Sequence, residues 1–142
     1  MKKFVGFFIM IVMVMFTCAC DMEKAQILFN KQPFRQDTMM SGTNVFKSGE
    51  RIYYLVTLPH SVESKRLLIQ VVKTGGKTLT GDPADRLGYD LVWGKHVKLK
   101  DEQIYYYTDY LVFNETGTYI MTVYSRDNPT KILTSSQFYV KN

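Results

Sequence analysis

Apolar and polar residues alternate along several stretches of this chain with the two-residue period of an extended strand. The clearest cases are segments 51–58 and 117–125, in which every second residue is apolar or aromatic. Further strands are predicted where β-branched and aromatic residues concentrate between turn-forming residues, namely 26–30, 43–47, 66–73, 89–93, 103–114 and 132–140. No segment after residue 20 has a sustained helical stripe, so we predict an all-β antiparallel sandwich of about seven strands.

The first twenty residues follow a different pattern, which is the order of a secretory signal. Lys2 and Lys3 precede an uncharged apolar run at 4–16, and small residues then lead to the polar Asp21. The run is shorter than the roughly 20 residues of a membrane-spanning helix. A cleaved signal is therefore expected, with an uncleaved anchor over 4–19 as the alternative.

The chain has two cysteines, Cys18 and Cys20, and their spacing limits what they can do. A C-x-x-C redox or zinc site is excluded, because only one residue separates them and no His or further Cys clusters nearby. A disulfide between them would close a strained, very small loop. Two interpretations stay open, which are cleavage after Ala19 by a general signal peptidase and lipid modification of Cys20.

Residues 17–20, "TCAC", resemble the lipobox of bacterial lipoproteins, which is typically Leu, two small residues and the modified Cys. Thr17 stands where the family has an aliphatic residue. The resemblance implies residues 1–19 as signal peptide, 20–26 as lipidated Cys20 and tether, and 27–142 as the sandwich domain. The acyl chains on Cys20 would anchor the domain to a bacterial membrane on its extracytoplasmic side. Asp21 resembles an inner-membrane retention signal, but that rule varies between bacteria and leaves inner or outer membrane open.

The segment 114–123, "NETGTYIMTV", resembles the start of strand F in immunoglobulin-like domains. There an acidic residue, a Gly or Ala and a Tyr stand at alternate positions, which here are Glu115, Gly117 and Tyr119. The resemblance implies a tyrosine corner, in which the Tyr119 hydroxyl bonds to backbone just upstream. An ordinary hairpin with a glycine turn is the alternative.

Charge and candidate chemistry narrow the function. The chain carries 18 basic and 13 acidic residues, a net charge of +5, and no long basic run, so nucleic acid is not an expected partner. The two histidines, His60 and His96, lie in no pattern of nucleophile and base or of metal ligands. We therefore predict no catalytic residues, no metal and no cofactor.

The ten tyrosines and one tryptophan are the remaining candidates for binding. Trp93, Tyr105 and Tyr107 are predicted as a binding surface, because such rings stack on sugars or anchor a partner protein. The alternative is that these rings fill the rim of the sandwich. The predicted function is a membrane-anchored, non-catalytic binding or envelope-assembly module whose partner is another cell-envelope protein. A carbohydrate-binding module and then a hydrolase are the alternatives, and the small-molecule ligand and oligomeric state stay open.

Overall fold

The structure is a computed structural model that describes residues 24–58, 65–74, 89–100, 105–128 and 131–142. The signal segment, Cys20 and His60 lie outside these residues. The described residues form eight strands: β1 (Gln26–Asn30), β2 (Val45–Lys47), β3 (Arg51–Thr57), β4 (Arg66–Thr74), β5 (Tyr89–Lys98), β6 (Tyr106–Val112), β7 (Gly117–Ser125) and β8 (Ile132–Lys141). No described segment forms a helix long and apolar enough to cross a membrane. The predicted all-β class is confirmed.

The strands form two sheets that pack in a sandwich-like arrangement. One sheet has the order β1-β3-β6, and the other has the order β2-β8-β7-β4-β5. The predicted antiparallel sandwich is confirmed, and the one departure from it is the pair β2 and β8, which is parallel. A parallel pair needs a long connection, and most of the chain lies between these two strands.

The core between the sheets follows the alternation seen in the sequence. Ile52, Tyr54, Val56 and Leu58 of the β3 segment are all buried, as their shared face predicts. Aromatic rings join the sheets across the core, with the centroids of Phe29 and Phe138 5.0 Å apart. Burial of such rings is the main term that holds a sandwich together, because apolar area leaves water.

Two boundaries differ from the sequence prediction. β5 extends beyond the predicted segment 89–93 to Lys98, and Gly94 within it pairs in regular register with Gln70. The register shifts nearby, because Val71 pairs with Trp93 and Val72 pairs with Leu91, so Val92 is the extra residue of a bulge on β5. At the N-terminus Ala25 is buried in the core and β1 begins at Gln26, so the sandwich starts two residues before the predicted boundary.

Tyr119 makes the contact that the immunoglobulin-like motif implies. Its hydroxyl donates a hydrogen bond to the backbone oxygen of Glu115 over 2.7 Å. Its ring packs in a cluster with the rings of Phe113 and Phe138, with centroid distances of 4.6 and 5.3 Å. Gly117 lies between the two bonded residues with a φ of +155°, a conformation that suits glycine. The corner therefore ties the β6–β7 connection to the core.

Candidate functional site

Trp93, Tyr105 and Tyr107 do not form the single open surface predicted from the sequence. Trp93 on β5 and Tyr107 on β6 pack against the core, and their ring centroids lie 6.4 and 6.2 Å from that of Tyr54. Tyr105 is exposed and precedes the first residue of β6, Tyr106. In a continuous strand Tyr105 would share a face with Tyr107. Because β6 begins only at Tyr106, this alternation does not apply to Tyr105.

A polar cluster joins the two sheets near Tyr54, against which Trp93 and Tyr107 both pack. Lys95 on β5 and Asp109 on β6 form an ion pair with 2.6 Å between Nζ and Oδ2, and the Tyr107 hydroxyl donates to the same oxygen over 3.1 Å. Burial raises the pKa of Asp109, but hydrogen bonds from Lys95, the Tyr110 amide and Tyr107 outweigh it, so this pKa lies below its usual range. Hydrogen bonds to Asp109 and Tyr107 raise the pKa of Lys95. Both residues stay charged near neutral pH.

Tyr54 lies beside this cluster with an unsatisfied hydroxyl group. Its side chain is fully buried, and its oxygen has no hydrogen-bond partner among the described residues. The pKa of Tyr54 is raised well above its usual value. Burial is the largest cause, and the neighbouring Tyr107 and Asp109 add to it. The Tyr107 hydroxyl is near enough to affect this pKa but does not meet hydrogen-bond geometry. Tyr54 therefore stays protonated and is no base.

The sequence reasoning missed Lys95, Asp109 and Tyr54 as a group. A signal was present, because each charged residue occupies an inward position of its strand: Lys95 alternates with Trp93 and Val97. To predict that Lys95 pairs with Asp109, one must know that β5 and β6 lie at the same side of the sandwich. The alternation of apolar and polar residues does not show this order of strands. Within the described residues, no group of three or more His, Cys, Asp or Glu side chains lies together as a metal site.

A groove of about 440 Å³ lies on the outer side of the three-stranded sheet, and we call it the outer groove. Segment 31–44 crosses this side of the sheet, held by a 2.8 Å hydrogen bond from the Asn30 amide to the Thr38 carbonyl. Leu55 points outward from β3 but is only 4% exposed, because the segment covers it. The outer groove is lined mainly by Phe34, Met39, Leu55, Thr57, Tyr105 and Tyr106.

The outer side of the five-stranded sheet carries a second apolar region, the β5 face, which consists of Val72, Tyr89, Leu91 and Ile120. Leu91 pairs with Val72, and Val72 pairs with Ile120, so the three side chains form a row across β5, β4 and β7. Tyr89 and Leu91 are 52% and 62% exposed. β5 is the outermost strand of this sheet among the described residues, so its outer backbone edge has no strand partner there.

Comparison with known proteins identifies no family for this chain. No protein-family profile and no curated protein sequence matches the chain. Among solved structures, the soluble domain of PmoD from Methylocystis sp. is similar, with a TM-score of 0.47 and 16% identity, over 82% of this chain and 90% of that one. A β-glucosidase from Kluyveromyces marxianus in complex with glucose has a TM-score of 0.37 and 14% identity, over 84% of this chain and 14% of that one. At these values the similarity carries no information on function.

Proposed function

We propose that the protein is a lipid-anchored, extracytoplasmic and non-catalytic interaction module that binds another protein of the bacterial cell envelope. Cys20 carries the lipid, and the sandwich presents its binding surface to the partner. The observation that carries the proposal is the β5 face, where an apolar row on an outer sheet surface adjoins an outermost strand.

The β5 face combines two features of protein-binding surfaces. Apolar side chains grouped on an exposed surface mark sites of association, because their burial removes them from water. An outermost strand also offers a row of backbone donors and acceptors to which a partner can add a strand. The N-terminal half of β5 has no charged side chain beside Tyr89 and Leu91 except Asp90, so little there repels an apolar partner.

The anchor is the second element of the proposal, and it rests on the sequence. A lipobox-like stretch ends at Cys20, and the core begins at Ala25, so the tether between them is short. A permanently anchored module meets its partner at high local concentration, and a modest interface is then sufficient. The carbohydrate alternative depended on an open platform of Trp93, Tyr105 and Tyr107, which the described residues do not form.

Site-specific photocross-linking in the organism's own cells tests the β5 face. A photoreactive residue at Leu91 is expected to give one discrete adduct with a membrane protein. The same residue at Lys47, exposed on β2 at the opposite edge of the same sheet, is the matched control and should give none. The Val72→Lys substitution should weaken the Leu91 adduct. No adduct at Leu91, or equal adducts at both positions, would overturn the proposed surface.

Metabolic labelling with a fatty-acid analogue tests the anchor separately. Label on the wild-type protein that is lost in Cys20→Ser supports lipidation, whereas an unlabelled protein with Cys20 intact refutes it. If Cys20→Ser keeps the Leu91 adduct, the anchor only raises the local concentration of a site that the sandwich forms alone.

A further inference from the structure

The short tether limits how far the sandwich can move from the membrane. Cys20 and Ala25 are five residues apart, and a fully extended chain spans at most about 3.6 Å per residue, which gives a reach of roughly 18 Å. Ala25 is fixed in the core and Gln26 begins β1. The N-terminal end of β1 therefore stays near the lipid head groups. The surface of the sandwich next to this end is the part closest to the bilayer.

Strand register places the outer groove at that same end of the sheet. Gln26 pairs with Thr57, and Thr57 pairs with Tyr106, so these residues form the first row across the three-stranded sheet. Tyr106 is 47% exposed and lies directly after the exposed Tyr105. Thr57 and both tyrosines line the outer groove. The tether thus leaves the sandwich beside the rim of the groove.

The exposed side chains around the groove suit the boundary between water and lipid. Tyrosine is enriched in membrane interfaces, because its ring is apolar and its hydroxyl is wet. Met39 lines the groove and is 47% exposed, and Met40, its neighbour in the chain, is 96% exposed; flexible apolar side chains such as these adapt to an irregular surface. Arg35 also lines the groove and adds a cation at the level of lipid phosphates.

We infer that this surface, consisting of Met39, Met40, Tyr105 and Tyr106 and called the docking surface, rests on the bilayer that holds the lipid of Cys20. The inference depends on the proposed anchor, and it adds the orientation of the domain. The two sheets of a sandwich present opposite outer sides. With the docking surface on the lipid, the β5 face points away from the membrane, towards a partner protein.

Electrostatic attraction is a minor contribution to this docking. Basic residues lie at the tether end of the sandwich, where Arg66 is directly opposite Lys98. The docking surface itself contains no charged residue, so burial of apolar surface is the main driving term. Docking is accordingly expected on electrically neutral vesicles.

Depth-dependent quenching on the full chain tests the inference. The protein is purified with its lipid, an intact mass verifies acylation of Cys20, and it is reconstituted into phosphatidylcholine vesicles that contain a spin-labelled quencher lipid. A fluorophore is attached at Met40→Cys, with Leu91→Cys on the β5 face as the control. Cys20 does not react with the label once its sulfur is alkylated by the lipid as a thioether, and Cys18 leaves with the signal.

Quenching several-fold stronger at Met40→Cys than at Leu91→Cys is the expected result. Adding Tyr106→Asp should reduce the quenching at position 40, whereas Tyr110→Asp should not. Tyr110 is a matched control, because it lies on the same face of β6, is also 47% exposed and is further from the tether. Acylated protein with equal or absent quenching at both labels overturns the docking surface alone. An unacylated Cys20 overturns the anchor and this inference together.

Discussion

The ammonium group of Lys95 lies 2.6 Å from the carboxylate of Asp109 and links the two sheets at one open side of the sandwich. Lys95 belongs to β5 and Asp109 to β6, each an outermost strand of its sheet among the described residues. An inward-pointing charge disfavours pairing with a second chain along its own part of the strand, because that charge must keep its partner, so strand addition to β5 is confined to the N-terminal half around Tyr89 and Leu91. The pair also covers the fully buried Tyr54.

The first prediction concerns the pH dependence that Asp109 gives to stability. Because its pKa is lowered in the fold, its contribution is present above the unfolded pKa of about 3.9 and disappears as the pH falls through the folded value. Asp109→Asn is expected to lower the free energy of unfolding by about 1 kcal/mol at pH 7, an estimate reduced for the partial exposure of both side chains. Urea unfolding at a series of pH values measures the difference, which should vanish below the folded pKa.

Glu115→Gln is the matched control for this experiment. Glu115 also pairs with a lysine, Lys73, at 2.8 Å, and the hydrogen bond from Lys73 lowers its pKa. Its side chain is 78% exposed, so solvent screens the pair and the substitution should leave stability nearly unchanged at every pH. An equal loss in both variants would argue against a special role for the inter-sheet pair.

The second prediction is that Tyr54→Phe stabilises the protein. The hydroxyl of Tyr54 is buried without a partner among the described residues, so it has lost its bonds to water without replacement. Removing the oxygen should raise the free energy of unfolding by about 1 kcal/mol. Thermal unfolding followed by circular dichroism measures the shift. A lower melting temperature would show that the hydroxyl is bonded in solution, for example to an internal water.

The alternation of residues was enough to predict the strands and the buried face of β3. Ile52, Tyr54, Val56 and Leu58 share a parity in the sequence and are all buried, because one face of a sandwich strand must meet the core. The corner at Tyr119 could be predicted too, since it is formed by residues close in the chain. These features depend on local sequence only.

Features that depend on contacts between distant segments could not be predicted in this way. The parallel pairing of β2 with β8 and the burial of Leu55 beneath segment 31–44 both require knowledge of how the chain returns to itself. The same reason explains the error at Trp93 and Tyr107. Residues two apart in a strand share a face, and the sequence shows this much. Only the packed sheets show that the face carrying Trp93 and Tyr107 contacts Tyr54 and not solvent.

The third prediction tests the tyrosine corner. Tyr119→Phe removes the hydroxyl that donates to the Glu115 carbonyl and keeps the stacked ring, so we expect a loss of about 1 kcal/mol in the free energy of unfolding. Tyr124→Phe is the control on the same strand, because Tyr124 is partly exposed on the opposite face. Denaturant unfolding of both variants gives the comparison. A loss in Tyr124→Phe as large as that in Tyr119→Phe would contradict a specific corner bond.

The fourth prediction separates backbone strain from steric crowding at Gly117. A Cβ there would lie 2.7 Å from Cε of Lys73, but that atom belongs to a flexible side chain that can move away. The φ of +155° stays unfavourable for any residue with a Cβ. Gly117→Ala should therefore cost about 1–3 kcal/mol by this strain, and the cost should persist when Lys73 is also replaced by Ala. A double-mutant cycle with denaturant unfolding measures both terms. If Lys73→Ala restores the stability of Gly117→Ala, crowding is the cause and the conformation of Gly117 is not required by the corner.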